Sequence, residues 1–348
     1  MIQHPKVGKW FIPQALRMAI KFLELFLFYY NRSKRFLHLE KKDGISLRIR
    51  LENLYIHSHI IQKKVDWLHF GFATVALRRE NIAGAIRAKM STSLRGYDIN
   101  IYPLKNKGCY DTLWKKVDKI HSISKYLLKK AEKDGLSKEK PNMIIKPSID
   151  IDYFNGLQKS KSFDFSENPI QILTVARLNW VKGLEHSIEG LAILRNRGIR
   201  FNYNIIGEGV ECERLKLAIY QMGLEDCVQL LGFIPHKSLY NYYQKAHIYL
   251  QYSLEEGFCN STLEAQAMGL LTIVSDAGGL VENVVNEKTG WIIKKSVPRQ
   301  LARTIEDIIK IDISKLNQIS SDAMQRVRLG YALQNQEKQF CEFFNEDY

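Results

Sequence analysis

Two carboxylates, Glu256 and Glu264, stand eight positions apart in Glu256-Gly257-Phe258-Cys259-Asn260-Ser261-Thr262-Leu263-Glu264, a segment that reads as a loop turning into a helix. Gly257 lets a ligand approach the backbone closely. Asn260 or Ser261 is the expected N-cap, and the N–H groups of the following turn make an anion site. Carboxylates on either side of such a site suit a ligand with a charged centre and hydroxyls at both ends, the shape of a sugar nucleotide. By itself the spacing is commonplace and ordinarily marks a solvated face. The next residues of the chain narrow the reading. Ala265-Gln266-Ala267-Met268-Gly269 leads into a strand-length apolar run, Leu271 to Ser275, and then to Asp276-Ala277-Gly278-Gly279 with Glu282 beyond it.

The second half of the chain supplies elements that could position these residues. Short apolar runs at Ile172 to Ala176, Tyr203 to Ile206, Val228 to Leu231, His247 to Tyr252, Leu271 to Ser275 and Trp291 to Ile293 read as strands. Helical patterns lie between them at Leu184 to Arg195, Glu213 to Met222, Leu239 to Ala246 and Thr262 to Met268. Such alternation predicts a parallel sheet covered by helices on both faces. Ligands of such sheets bind at the carboxyl ends of the strands, which is where the glutamate segment falls. The polar stretch Gln158 to Asn168 is expected to be a surface loop.

A chain of 348 residues exceeds what one core normally serves, so two domains are expected. Residues 1 to 150 hold 30 Lys+Arg against 13 Asp+Glu, a net of +17, whereas residues 151 to 348 hold 21 against 24, a net of −3. One basic half suggests an anionic membrane surface or a polyanion as partner, with plain solvation as the alternative. No helix-turn-helix, zinc-finger or RNA-binding pattern supports nucleic acid. Five cysteines without CxxC spacing read as reduced thiols of a cytosolic protein. No signal peptide is visible and no run reaches the ~18 to 20 apolar residues of a spanning helix. The apolar stretch Phe22 to Tyr30, flanked by Lys21, Arg32, Lys34 and Arg35, is read first as a buried helix and second as an interfacial one.

The glutamate segment resembles the donor-binding signature of the retaining glycosyltransferases of family 4, E-G-F-(small)-x-x-x-x-E-A-x-A-x-G followed by a strand and a G-G turn. Further pieces match in the same order: Val175-Ala176-Arg177-Leu178 with Lys182-Gly183, Ile206-Gly207-Glu208-Gly209, Leu231-Gly232-Phe233, Ala246 to Leu250 with Ser253, Ser122-Ile123-Ser124, and Ile149-Asp150 with Phe154. The likeness runs over roughly residues 65 to 345, dense in the second half and thin in the first. It implies the α/β GT-B fold, two Rossmann-like domains facing across a cleft. Residues 1–150 would form an N-terminal acceptor domain and residues 155–328 the donor domain, with a helix over 330–348 packing back on the first.

The resemblance also implies roles. Arg177 and Lys182 would hold the donor diphosphate, Glu256 would lie beside the transferred sugar, and Glu264 would hold the ribose. Gly257, Phe258, Cys259, Asn260, Ser261, Thr262, Gly232 and Phe233 would complete the donor site. Fixed cations aimed at growing phosphate charge stabilise the transition state more than the ground state, so no metal is expected and no cofactor beyond a UDP- or GDP-sugar co-substrate. The activity implied is metal-independent hexosyl transfer to a surface polysaccharide, lipopolysaccharide or lipid-linked acceptor, by a cytoplasmic enzyme peripheral on the inner membrane face. The alternative is a non-catalytic GT-B subunit that binds sugar nucleotide for a partner, with a GT-B epimerase a weaker third.

The first half departs from the family pattern. Asp66-Trp67-Leu68-His69-Phe70-Gly71-Phe72-Ala73-Thr74 keeps the first histidine of the family's strand but has Gly71 at the second. Ser93-Leu94-Arg95-Gly96-Tyr97-Asp98 carries Arg95 where a histidine is usual. Arginine cannot accept a proton at neutral pH, so Arg95 is expected to bind phosphate or an anionic acceptor. His69 is read first as a partly buried strand histidine, second as a site residue. Residues 1 to 20 show no strand and no Gly-rich turn, as if the chain were truncated, the domain reduced or a partner chain completed it.

Overall fold

The computed structural model describes residues 11–155, 163–165 and 168–345. Residues 1–10 and most of the expected loop Gln158 to Asn168 lie outside the described residues, as do 346–348. The chain divides into two units: residues 1–122 with 127–144, and residues 123–126 with 145–348. The division thus falls a few residues before the expected boundary, and residues 123–126, which enter the helix Lys125–Lys133, go with the second unit. The last helix, Leu333–Asn345, also belongs to the second unit. Its Gln336 accepts from Ser148 Oγ at 2.8 Å and donates to Lys146 O at 3.1 Å, residues that the charge division places in the first half.

The first unit is a four-stranded parallel sheet in the order β1 (Trp67–Phe70), β2 (Lys89–Leu94), β3 (Lys119–Ser122), β4 (Asn142–Ile144). Among the described residues four helices precede it: α1 (Phe11–Phe28), α2 (Tyr30–Lys42), α3 (Leu47–Ile56) and α4 (Ser58–Ile61). Pro13 is no break in α1, because it sits in the first turn, where its missing N–H has no helical partner to lose. Leu25, Phe36, Leu54, Ile61 and Ile82 form a buried cluster. The expectation of a buried helix over Phe22 to Tyr30 needs correction. Leu25 is buried, but Leu23, Leu27 and Phe28 are exposed at 62%, 65% and 75%. Leu16 and Ile20 continue the same exposed face, since spacings of four, three and four residues return to one side of a helix. A short helix has two sides, and α2 and α3 cover only one of them.

The second unit is a six-stranded, all-parallel sheet of β5 (Ile170–Val175), β6 (Phe201–Ile206), β7 (Val228–Leu230), β8 (Ile248–Gln251), β9 (Leu271–Ser275) and β10 (Trp291–Ile293). Its order, β10-β9-β8-β5-β6-β7, is that of a Rossmann sheet, with the reversal of direction between β5 and β8. Buried strand residues such as Ile172, Leu250 and Ile273 meet Leu191 and Leu301 from helices Leu184–Asn196 and Pro298–Ile308. Parallel strands buried on both faces read as near-continuous apolar runs, which is why all six were legible.

Candidate functional site

The crevice at the carboxyl ends of β5 and β8 gathers the expected residues of the second half. After β5 the chain passes Arg177 and makes a 3-10 turn, Trp180–Lys182, that ends at Gly183 with φ +59°. A Cβ on Gly183 would lie 2.3 Å from Tyr252 O, so only glycine lets this turn close on the end of β8. Leu254 N then donates to Val181 O at 2.7 Å. This docking brings Lys182 Nζ into an ion pair with Glu256 Oε1, both side chains largely buried. Ser253 Oγ donates to the same oxygen at 3.2 Å, and Gln251 Nε2 donates to Ser253 Oγ at 2.8 Å. Burial disfavours the Lys182 ammonium, but the Glu256 carboxylate beside it outweighs that cost and holds its pKa above the ordinary value. Arg177 is exposed and close enough to Lys182 to be felt electrostatically, and its guanidinium makes no hydrogen bond or ion pair among the described residues.

The helix that follows is Asn260–Ala267, and its N-cap is Cys259, which corrects the expectation of Asn260 or Ser261. No side chain caps it. Ser261 is instead drawn away, its Oγ 2.7 Å from the Tyr249 hydroxyl and donating to Val175 O at 3.0 Å. The first N–H groups of this helix are left to an external acceptor, the condition for an anion site. Cys259 is buried, and burial together with the Glu256 charge raises its pKa, so its thiol stays protonated and inert. All five cysteines are unpaired.

The loop that carries Glu256 is braced from behind. Gly279 N donates to Glu256 O at 2.8 Å, and a Cβ on Gly279 would come within 1.9 Å of Gly257 O. Asn283 is fully buried and holds Cys259 at both ends of its peptide, accepting from its N–H at 3.2 Å and donating to its C=O at 2.8 Å. Tyr126 OH donates to Glu255 Oε1 at 2.5 Å while its backbone N–H donates to Glu282. None of Asn283, Tyr126 and Glu255 was singled out in the sequence.

Glu264 lies in the second turn of the helix and is 8% exposed. His236 Nε2 meets its Oε1 at 2.9 Å, and Tyr243 OH donates to its Oε2 at 2.8 Å. Burial, reinforced by the Glu264 charge, raises the Tyr243 pKa and keeps that hydroxyl a donor. Neither partner was expected. Gly232 adopts φ +68° and Phe233 beside it is 69% exposed, at the end of β7. Phe258 is buried, with its ring 6.0 Å from the Tyr331 ring. Thr262 is buried, whereas Asn260 is exposed and Ser261 half-buried.

In the first unit, His69 bridges two hydroxyls of β2, Ser91 at 2.9 Å from Nδ1 and Ser93 at 3.0 Å from Nε2. Burial, with the Arg95 charge adding to it, lowers its pKa to about 4, so the ring is neutral. The ring is half-buried on β1. Arg95 donates to Gly71 O at 2.8 Å and lies over the Phe72 ring at 5.0 Å. Gly71, standing where the family has its second histidine, thus offers only a backbone carbonyl.

Residues 157–326 match the family described as Glycosyl transferases group 1. Residues 157–326 thus belong to that family. AmsK of Erwinia amylovora, an amylovoran biosynthesis glycosyltransferase, is 32% identical over 243 residues, 68% of this chain and 58% of AmsK. WcaL of Escherichia coli K12, named for colanic acid biosynthesis, is 28% identical over 267 residues, 74% of this chain and 64% of WcaL. The chain therefore spans about three fifths of the length of these relatives. Among solved structures, a glycosyltransferase of Rickettsia africae superposes with a TM-score of 0.69 at 21% identity, over 90% of this chain and 79% of that one. Anabaena HepE with UDP and glucose gives 0.72 at 18% identity, over 85% and 81%. The chain has the GT-B fold, two Rossmann-like units, as the sequence implied.

Proposed function

We propose that this chain transfers a hexosyl group from a nucleoside diphosphate sugar to a glycan or lipid-linked acceptor in polysaccharide assembly, with retention at the anomeric carbon. One observation carries the reading: an uncapped helix N-terminus at the β5/β8 switch point, with the Lys182–Glu256 pair on one side and Glu264 on the other. The diphosphate would accept from the first N–H groups of helix Asn260–Ala267, with Arg177 and Lys182 alongside it. The ribose would reach Glu264 and the hexose would lie against Glu256. As the bond from anomeric carbon to phosphate oxygen breaks, its electron pair leaves with the diphosphate, whose added charge the two cations meet. The acceptor oxygen bonds the same face of that carbon and its proton passes to a leaving phosphate oxygen. The chemistry asks for no dedicated base. His69, neutral and bonded to two serines, and Arg95, bonded to Gly71, then serve in acceptor or phosphate contact. Relatives named for amylovoran and colanic acid synthesis, and a neighbour solved with UDP and glucose, support this reading. Purified protein should release nucleoside diphosphate from one member of a UDP-, GDP- and ADP-sugar panel and keep that activity in EDTA. Strict dependence on added magnesium or manganese would refute the metal-free mechanism. Tight binding without turnover would favour the non-catalytic subunit instead.

The exposed face of α1, Leu16, Ile20, Leu23 and Leu27 with Arg17 and Lys34 exposed nearby, supports attachment of this enzyme to an anionic bilayer. No helix among the described residues is long and apolar enough to cross a membrane. Vesicles with acidic lipid should bind the protein and release it as salt rises, with L23E/L27E weakening both binding and salt response. Equal partition onto neutral vesicles would leave the basic residues out of the account.

A further inference from the structure

The two partners of Glu264 differ in kind. Tyr243 belongs to the core, fully buried in helix Tyr240–Lys245. His236 belongs to the surface: its side chain is 59% exposed, in the 3-10 turn His236–Ser238 that follows the Gly232-Phe233 loop. Its ring is nonetheless fixed from behind. It stacks on Tyr153 at 6.1 Å and 28°, meets the edge of Phe154 at 6.2 Å, and the Tyr153 hydroxyl donates to Lys237 O at 2.6 Å.

We infer that His236 sets recognition of the vicinal diol of the donor's ribose, by holding the Glu264 carboxylate in the one orientation that leaves an acceptor position on each oxygen. The inference rests on the donor-site reading above. An ionised carboxylate has about four acceptor positions. Tyr243 takes one on Oε2 and His236 one on Oε1, so one position on each oxygen is left without a protein donor. Two hydroxyls on adjacent carbons match that spacing. With Tyr243 alone the carboxylate can turn about its last bond, and the second hydroxyl loses its fixed partner. His236 is thus a positioning residue for nucleotide specificity, ribose against deoxyribose.

Titration calorimetry of the full chain with UDP, GDP and ADP, and with the 2′,3′-dideoxy counterpart of whichever binds, tests it. H236A should weaken the ribonucleotide about tenfold, the worth of one charge-assisted hydrogen bond, and leave the dideoxynucleotide unchanged. H236Q, whose amide N–H reaches the same place, should restore most of the loss. E264A should erase the difference between the two nucleotides. H236A lowering both affinities equally, or neither, overturns the inference, while E264A still erasing the difference leaves the ribose role of Glu264 standing. A wild-type protein indifferent to the two hydroxyls overturns the inference and the ribose role of Glu264 together.

Discussion

Replacing Glu256 by glutamine would remove the charge that holds a buried ammonium. The Lys182 and Glu256 side chains are 15% and 12% exposed, so solvent screens the pair little. Deleting one partner of a buried ion pair costs about 3 to 5 kcal/mol, because the other charge stays desolvated. The amide oxygen of E256Q still accepts from Lys182, and Ser253 still donates to the same position, which leaves an expected loss of about 2 to 3 kcal/mol. The pH response should change as well. In the native protein the Lys182 pKa lies above its ordinary 10.5, so the stabilisation is fully present below that value and is lost only as pH rises through the folded pKa. In E256Q burial and the nearby Arg177 charge depress the folded pKa. Stability should then rise with pH over the alkaline range below 10.5, where the native protein shows no such gain from this group. A nucleoside diphosphate supplies the missing negative charge and should stabilise E256Q more than the native protein. Denaturant unfolding of the full chain, with the two units' transitions fitted separately and repeated at neutral and alkaline pH with and without UDP, measures all three effects. A loss under about 0.5 kcal/mol with no pH slope would refute the account, since that is the behaviour of a solvated pair.

Three further outcomes are expected from other contacts. G279A should cost about 3 kcal/mol or more, because its Cβ would meet backbone oxygen at 1.9 Å and backbone cannot swing aside, whereas G330A, with open space around it and an ordinary φ, should gain about 0.5 to 1 kcal/mol; thermal unfolding compares them. N283L should lose about 2 to 4 kcal/mol by leaving the N–H and C=O of Cys259 unpaired, and donor affinity should fall with it in calorimetry. For His69 the folded pKa of about 4 lies below the ordinary 6.5, so the unfolded chain takes up the proton first as pH falls. Relative to H69Q, the native protein should lose about 2 to 3 kcal/mol between pH 7 and pH 4, and parallel stability curves would show that burial of this ring is not felt.

The amino-acid sequence by itself determined the elements of the second unit and the loop that carries its chemistry. Leu271–Ser275 and Trp291–Ile293 are strands at the residues where their apolar runs begin and end. Helix Leu184–Asn196 differs from its pattern by one residue. Arg177, Lys182, Glu256 and Glu264 were singled out by resemblance to a family pattern of arginine, lysine, glycine and carboxylates in order, and the structure pairs Lys182 with Glu256. The tertiary structure decided what the loop is fastened to. Asn283 reaches Cys259 from 24 residues away, and His236 and Tyr243 reach Glu264 from 28 and 21. Those side chains carry no mark in a linear pattern, because an amide, an imidazole and a phenol are each as common on a surface as in a site. The sheet order that brings β5 beside β8, 76 residues apart at Ile172 and Ile248, likewise comes from crossover packing and not from any local propensity. The face of α1 shows the same limit from the other side: its apolar residues were plain in the sequence, but only the packing of α2 and α3 decided which were covered.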